Sequence, residues 1–260
     1  MSLSDLYGVV LAGGRGTRLL PMTRVVNKHL LPVYDQPMIN FPLATLQTAG
    51  IRRVCVVVGG REPGEIQELV GDGRQFGYKR LTFVEQQGEG GIAAALACAR
   101  PVVGTSPICV ILGDNVLEES LSPFAVRFIE SGGEALVLLA RVADPERFGV
   151  PSFDGAGRIV EITEKPARPA SRFAVAGVYF YTATVWEVIA SLAPSARGER
   201  EISDVNNAYA RRQRLAHGVL EGFWGDAGTT EGLFQTSAIV RTWRLRASRE
   251  VGARAVGGGS

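Results

Sequence analysis

At 260 residues, 46% of them hydrophobic, the chain is long enough to bury a large core, as one α/β domain or two smaller ones. A formal charge of +2 with no Lys/Arg tract offers no stripe for nucleic acid, and no apolar run reaches membrane-spanning length. Neither partner is expected, and an N-terminus opening with Ser2, Ser4 and Asp5 reads as cytoplasmic, not secreted.

The first predicted element is a buried strand at 9–11, which runs into Ala12-Gly13-Gly14-Arg15-Gly16-Thr17-Arg18. Glycines let the backbone approach a ligand and turn N–H groups toward phosphate oxygens. Arg18 adds a fixed positive fork, and Arg15 is either a second one or an exposed loop residue. A nucleoside triphosphate is the natural guest. The loop is not a Walker A loop, because no Gly-Lys dipeptide occurs in the chain. Nor is it a dinucleotide fingerprint: Gly14-x-Gly16 is followed by Leu19, and Pro21 stops an immediate long helix.

Further strands at 54–58, 81–84, 108–112 and 135–140 alternate with helices at 38–49, 64–70, 91–99 and 123–131. Such alternation means βαβ units and a mainly parallel sheet covered on both faces, with ligands beyond the carboxyl ends of the strands. The pattern then changes. A hairpin is predicted from 148–153 and 158–163 around Asp154-Gly155-Ala156-Gly157, followed by a strand at 174–181. Helices at 183–192 and 203–214, a strand at 215–220 and a terminal helix at 231–249 complete the chain, and 251–260 reads as a flexible tail. No repeat or linker splits 1–250 into separate domains.

Cys55, Cys98 and Cys109 lie in apolar or alanine-rich runs with no C-x-x-C spacing, so reduced thiols are expected. His29 and His217 are the only histidines, too few for a histidine-rich metal site. Of 28 Lys+Arg residues only Lys28, Lys79 and Lys165 are lysines. A compact ammonium is not replaceable by guanidinium where a point charge meets phosphate in tight space.

Six segments carry a resemblance. They are the glycine loop, Asn27-Lys28-His29-Leu30-Leu31-Pro32-Val33-Tyr34, Gly90-Gly91-Ile92-Ala93, Leu112-Gly113-Asp114-Asn115, Glu164-Lys165-Pro166 and Trp224-Gly225-Asp226-Ala227-Gly228-Thr229. In this order they resemble the sugar-phosphate nucleotidyltransferases, and most closely the short glucose-1-phosphate thymidylyltransferases, over about 7–240. The resemblance implies a Rossmann-like fold with a β-hairpin sugar-binding insertion, a nucleotide part over about 1–140 and a sugar part over about 141–250. It implies that a sugar-1-phosphate oxygen, glucose-1-phosphate first, attacks the α-phosphorus of a nucleoside triphosphate, dTTP or alternatively UTP or a purine triphosphate, and expels pyrophosphate; a non-catalytic nucleotide-sugar sensor on the same fold is the other reading. Mg²⁺ between Asp114 and Asp226 would be the cofactor, and a homo-oligomer is expected.

Elementary chemistry agrees with that reaction. A sugar phosphate is largely dianionic at pH 7, its second pKa being about 6, so no general base or protein nucleophile is needed. The task is bringing a dianion to a polyanion, which calls for positioning and charge neutralisation. By resemblance, Arg18 holds the β- and γ-phosphates with Gly14, Gly16 and Thr17, and Lys28 meets the α-phosphate. The base lies against Leu11, Gly13, Gln86 and Gly91. Lys165 binds the sugar phosphate, Glu164 accepts from sugar hydroxyls, and Asn115, Gly149 and Val175 line the sugar pocket. Pro166 is expected to keep Lys165 extended. The chain departs from the family at Ala94, Gln36, Asn40-Phe41 and Phe148, none of them a metal or phosphate ligand.

Overall fold

A computed structural model describes residues 2–86, 88, 90–195 and 198–257, the last nine as backbone. In chain order come β1 (Tyr7–Ala12), β2 (Pro32–Val33), β3 (Gln36–Pro37), α1 (Asn40–Thr48), β4 (Arg53–Val58), α2 (Pro63–Val70) and β5 (Arg80–Glu85). Next are α3 (Gly91–Ala97), α4 (Arg100–Val103), β6 (Ile108–Leu112), β7 (Asn115–Leu117), α5 (Ser122–Ser131) and β8 (Ala135–Arg141). The remainder is β9 (Gly149–Phe153), β10 (Ile159–Glu164), β11 (Phe173–Tyr181), α6 (Val185–Ser191), α7 (Ile202–Arg211), β12 (Leu215–Val219), β13 (Trp224–Asp226) and α8 (Thr230–Gly257).

Seven strands form one sheet in the order β12-β8-β11-β6-β1-β4-β5. Every strand runs the same way except β11, which is antiparallel to both β6 and β8. The Val/Ile-rich runs are the composition a sheet buried on both faces requires. Alternate side chains split between two cores. Tyr7, Val9, Leu11, Cys55 and Val57 pack with α3, α6 and α7. Val10, Ala12, Val54, Val56 and Val58 pack with α1, α2 and α5. Fully burying one such side chain contributes roughly 1.5–3 kcal/mol. All three cysteines are free thiols. Among the described residues, no helix is long and apolar enough to cross a membrane.

The expected α/β alternation is present, with differences that have local causes. Pro101 starts a new turn, so the helix expected over 91–99 is α3 followed by α4. Two small ribbons, β2 with β3 and β7 with β13, were not predicted; strands of two or three residues carry no periodicity. The tail expected at 251–260 is helical as far as Gly257, while 258–260 lie outside the described residues. Its single interior glycine, Gly252, costs about 1 kcal/mol, which flanking alanines and arginines tolerate. Lys165 is not extended: its φ is +45°. Its N–H donates to Phe148 O at 2.9 Å, closing the β9–β10 ladder. That anchor and the turn out of β10 override the preference set by Pro166. A non-glycine residue in this region costs about 1–3 kcal/mol and is sustained at sites.

Candidate active site

From β1 the chain moves outward through β4 and β5 on one side, then returns to place β6 on the other. The carboxyl ends of β1 and β6 therefore flank the point where strand order reverses, the natural crevice of such a sheet. The glycine loop follows β1 and Gly113-Asp114 follows β6. Gly16 has φ +66°, and a Cβ there would come within 2.9 Å of Lys28 Cβ and 2.8 Å of Thr23 Cγ2. Thr23 Oγ1 donates to Gly16 O at 2.8 Å, so the loop is clamped onto the turn that carries Lys28. On the other flank Asn27 Nδ2 donates to Gly59 O and Arg61 O at 3.1 and 2.7 Å, and Asn27 Oδ1 caps the turn by accepting from His29 N at 3.1 Å. The His29 ring is fully buried against Gly113, and burial first, then the Lys28 charge, lowers its pKa to about 3.

Lys28 Nζ stands 2.8 Å from Asp114 Oδ2. Asp226 reaches the same place through the β7–β13 ribbon, which pairs it with Asn115, and Ala227 N donates to Asp114 O at 2.9 Å. Gly228 N donates to Asp226 Oδ1 at 2.9 Å. A Cβ built on Gly228 would lie 2.7 Å from Asp114 Oδ2, 2.8 Å from Asp226 Oδ1 and 3.2 Å from Arg18 Nη2. Two carboxylates and a guanidinium thus converge on a space that only glycine leaves open. Their acidities diverge. Burial opposes the ionisation of Asp114, but Lys28, by charge and hydrogen bond, and Arg18 outweigh it and hold the carboxyl well below its usual range. Burial and the neighbouring Asp114 push Asp226 up.

A cleft of about 450 Å³ opens beyond the sheet edge. It is lined by Leu11, Gly13, Gly14, Thr17, Arg18, Lys28, Gln86, Gly91, Asp114, Glu164 and Lys165. A recess of about 140 Å³ shares Arg18, Asp114, Glu164 and Lys165 with it and adds Asn115, Gly149, Val175 and Asp226. Every site residue expected from sequence lines one or the other except Gly16, which packs beneath the loop. Gln86 lies over Gly13, where a Cβ would collide with Oε1. Gly91 has φ +82°, and a Cβ there would meet Arg200 O at 2.7 Å. Glu164 Oε2 accepts from Ser203 Oγ at 2.7 Å, and Lys165 Nζ is 3.8 Å from Glu164 Oε1.

Asn115, which lines the recess, is also tied into the fold. Its Oδ1 accepts from Trp224 Nε1 at 2.6 Å and from Gly177 N at 3.1 Å, and its Nδ2 donates to Asp114 Oδ1 at 3.2 Å. It orients the carboxylate. Gly177 N is free for this because β11 shifts register between Val175 and Tyr179. Arg147, Tyr179, Ser203 and Asn206 also line the recess and were not singled out from sequence, and Trp224, quoted only as part of its motif, lines it too. Tyr179 shared a signal with Val175, lying on the same face of β11 at period two. Arg147 had none, being a lone cation in a loop.

Arg18 and Lys28 beside two carboxylates, with Lys165 lining both pockets, suit a polyphosphate accompanied by a hard cation. Among the described residues no group of three or more metal-binding side chains exists, so a cation shared by Asp114 and Asp226 would take its other ligands from substrate and water.

A model of the nucleotidyl transferase family matches residues 7–242. A glucose-1-phosphate thymidylyltransferase of Actinoplanes sp. is 46% identical over 239 residues, spanning 91% of this chain and 78% of the relative. One from Neisseria gonorrhoeae is 43% identical over 91% of this chain and 83% of its own. The crystal structure of a Bacillus anthracis protein, provisionally named a glucose-1-phosphate thymidylyltransferase, superposes with a TM-score of 0.86 at 42% identity, covering 91% of this chain and 95% of that one. A UDP-glucose pyrophosphorylase shares the fold at 23% identity, with a TM-score of 0.81. The chain is therefore an enzyme, and it belongs to the sugar-phosphate nucleotidyltransferase family.

Proposed function

We propose that the chain transfers a thymidylyl group from dTTP to glucose-1-phosphate, forming dTDP-glucose and pyrophosphate. The observation that carries this reading is the convergence of Asp114, Asp226 and Arg18 on the open space at Gly228, with Lys28 paired to Asp114, where the two pockets meet. The larger cleft would take dTTP, its base beneath Gln86 and beside Gly91, its triphosphate along Gly14, Thr17 and Arg18. Lys28 would meet the α-phosphate and Arg18 the departing β- and γ-phosphates. Lys165 would hold the sugar phosphate, and Glu164, fixed by Ser203, would accept from sugar hydroxyls. The sugar phosphate oxygen forms its bond to the α-phosphorus as pyrophosphate leaves, with no proton to remove.

Asp114 and Asp226 suit Mg²⁺, because paired hard oxygen donors beside a space a Cβ would fill leave room for phosphate oxygens and water. When bound, the cation would neutralise charge on the phosphates. The nucleotide part, about 1–140, and the sugar part, about 141–250, would work as one domain, supported by the single sheet running through both. The enzyme would act in the cytoplasm, without nucleic-acid or membrane partners, as a homo-oligomer; light scattering of the purified protein reads that last point.

Pyrophosphate release with Mg²⁺ and glucose-1-phosphate is to be measured across dTTP, UTP, GTP, CTP and ATP. Preference for dTTP is expected. Preference for another triphosphate overturns the base assignment, and no release with any sugar-1-phosphate overturns the reaction.

A further inference from the structure

The recess beside the carboxylates has a polar floor that the reading above leaves unused. On α7, Ser203 and Asn206 are three positions apart and face the same way. Ser203 fixes Glu164 at the rim. Asn206 is wholly buried, lines the recess, and its Oδ1 accepts from Tyr181 Oη at 2.6 Å. Its Nδ2 has no hydrogen-bond partner. An amide N–H buried without an acceptor is costly, and sites that hold one usually find it a ligand or an ordered water.

The amide is rigidly presented. Tyr181 is stacked between Tyr179 and Tyr209, at centroid distances of 6.1 and 5.9 Å, so the hydroxyl that fixes Oδ1 does not swing away. One residue on, Asn207 clamps α7 to β10, with Nδ2 donating to Ile162 O at 2.9 Å and Oδ1 accepting from Ile162 N at 2.7 Å. Depth is set by register. Tyr179 is level with Val110 inside β6, whereas Asp114 lies past the end of that strand. Asn206, tied to the same tyrosine stack, therefore lies on the side of the recess away from the reacting phosphate.

We propose that Asn206 is a specificity-determining residue whose Nδ2 donates to one ring hydroxyl of the sugar phosphate, remote from the phosphate itself. Binding a sugar with that hydroxyl satisfies the buried donor; binding its deoxy analogue leaves it unpaired. The inference rests on a hexose-1-phosphate being the acceptor.

The test compares kcat/KM for glucose-1-phosphate and its 2-, 3-, 4- and 6-deoxy analogues in the wild type, Asn206→Asp and Asn206→Leu. The wild type is expected to penalise one analogue on the order of 100-fold, the loss of one hydrogen bond to a buried donor. In both variants that single penalty collapses below about 5-fold, through loss on the full sugar, while KM for dTTP stays within about 2-fold. Asn206→Asp keeps the shape and the acceptor for Tyr181, so it reads the missing donor even if the leucine variant folds poorly. A selectivity pattern unchanged in the variants, or lowered equally for all sugars, overturns the assignment and leaves Nδ2 to a structural water. If the wild type releases no pyrophosphate from any sugar-1-phosphate, the acceptor reading falls and takes this one with it. Release with intact, variant-independent selectivity removes this one alone.

Discussion

The two walls of the cleft are made differently. The nucleotide wall is largely backbone: glycines at the ends of parallel strands, φ +91° at Gly14 and +66° at Gly16, with one arginine and one lysine added. The sugar wall is largely side chain, Glu164 on Ser203, Asn115 on Trp224, Asn206 on Tyr181, carried by a hairpin, the reversed strand β11 and the helix α7. Triphosphates are alike whatever base they carry, so repeated N–H groups serve them all. Sugars differ in the direction of single hydroxyls, and only oriented side chains resolve that.

The comparison breaks most sharply at the seam. Asp114→Asn keeps the shape and removes the charge there; a loss of at least about 10³-fold in kcat is expected, read as pyrophosphate release. Gly228→Ala places a methyl among both carboxylates and Arg18, and a loss of about 10²-fold is expected without loss of fold, checked by circular dichroism. A rate within 3-fold of wild type would mean that this space is not where charge is gathered. On the sugar wall alone, Lys165→Met is expected to raise KM for glucose-1-phosphate about 10- to 100-fold with KM for dTTP unchanged, since one charged hydrogen bond is removed. Equal changes in both constants would erase the distinction between walls.

The smallest effect concerns stability. The Asp226 carboxyl is held above its ordinary 3.8 by burial and Asp114, so at neutral pH its charge destabilises the fold. Asp226→Asn should abolish activity yet raise stability toward urea in the absence of metal. Because the native pKa is raised, that gain is full above the native value, shrinks as pH falls through it, and vanishes below the ordinary one. A gain that grew toward acid would contradict the sign.

The backbone wall was the legible one. Gly13 to Arg18 and Asp114 follow long apolar strands, which periodicity finds, whereas the roles of Lys28 and Asp114 came from the resemblance. The side-chain wall was legible only in part. Glu164 and Lys165 form a motif, but Arg147 and Asn206 enter the recess through loop placement and helix phase, which no local pattern encodes. Asp226 was named through resemblance; its approach to Asp114 depends on a ribbon of three residues per strand. Lys165 was misjudged in its backbone because a local rule for the residue before proline ignored the hydrogen bond to Phe148.

That ribbon also fixes when in the life of the polypeptide activity can begin. Trp224 Nε1 meets Asn115 Oδ1 across 109 positions, and the second carboxylate arrives with the same strand. Emerging at about 5–20 residues per second, a growing chain carries its nucleotide loop and first carboxylate for roughly ten seconds before the second can join them. A product released by the ribosome between β11 and β13 would have six or all seven of the sheet strands and only half of the carboxylate pair. Catalytic competence is in that sense a signal that synthesis has passed β13.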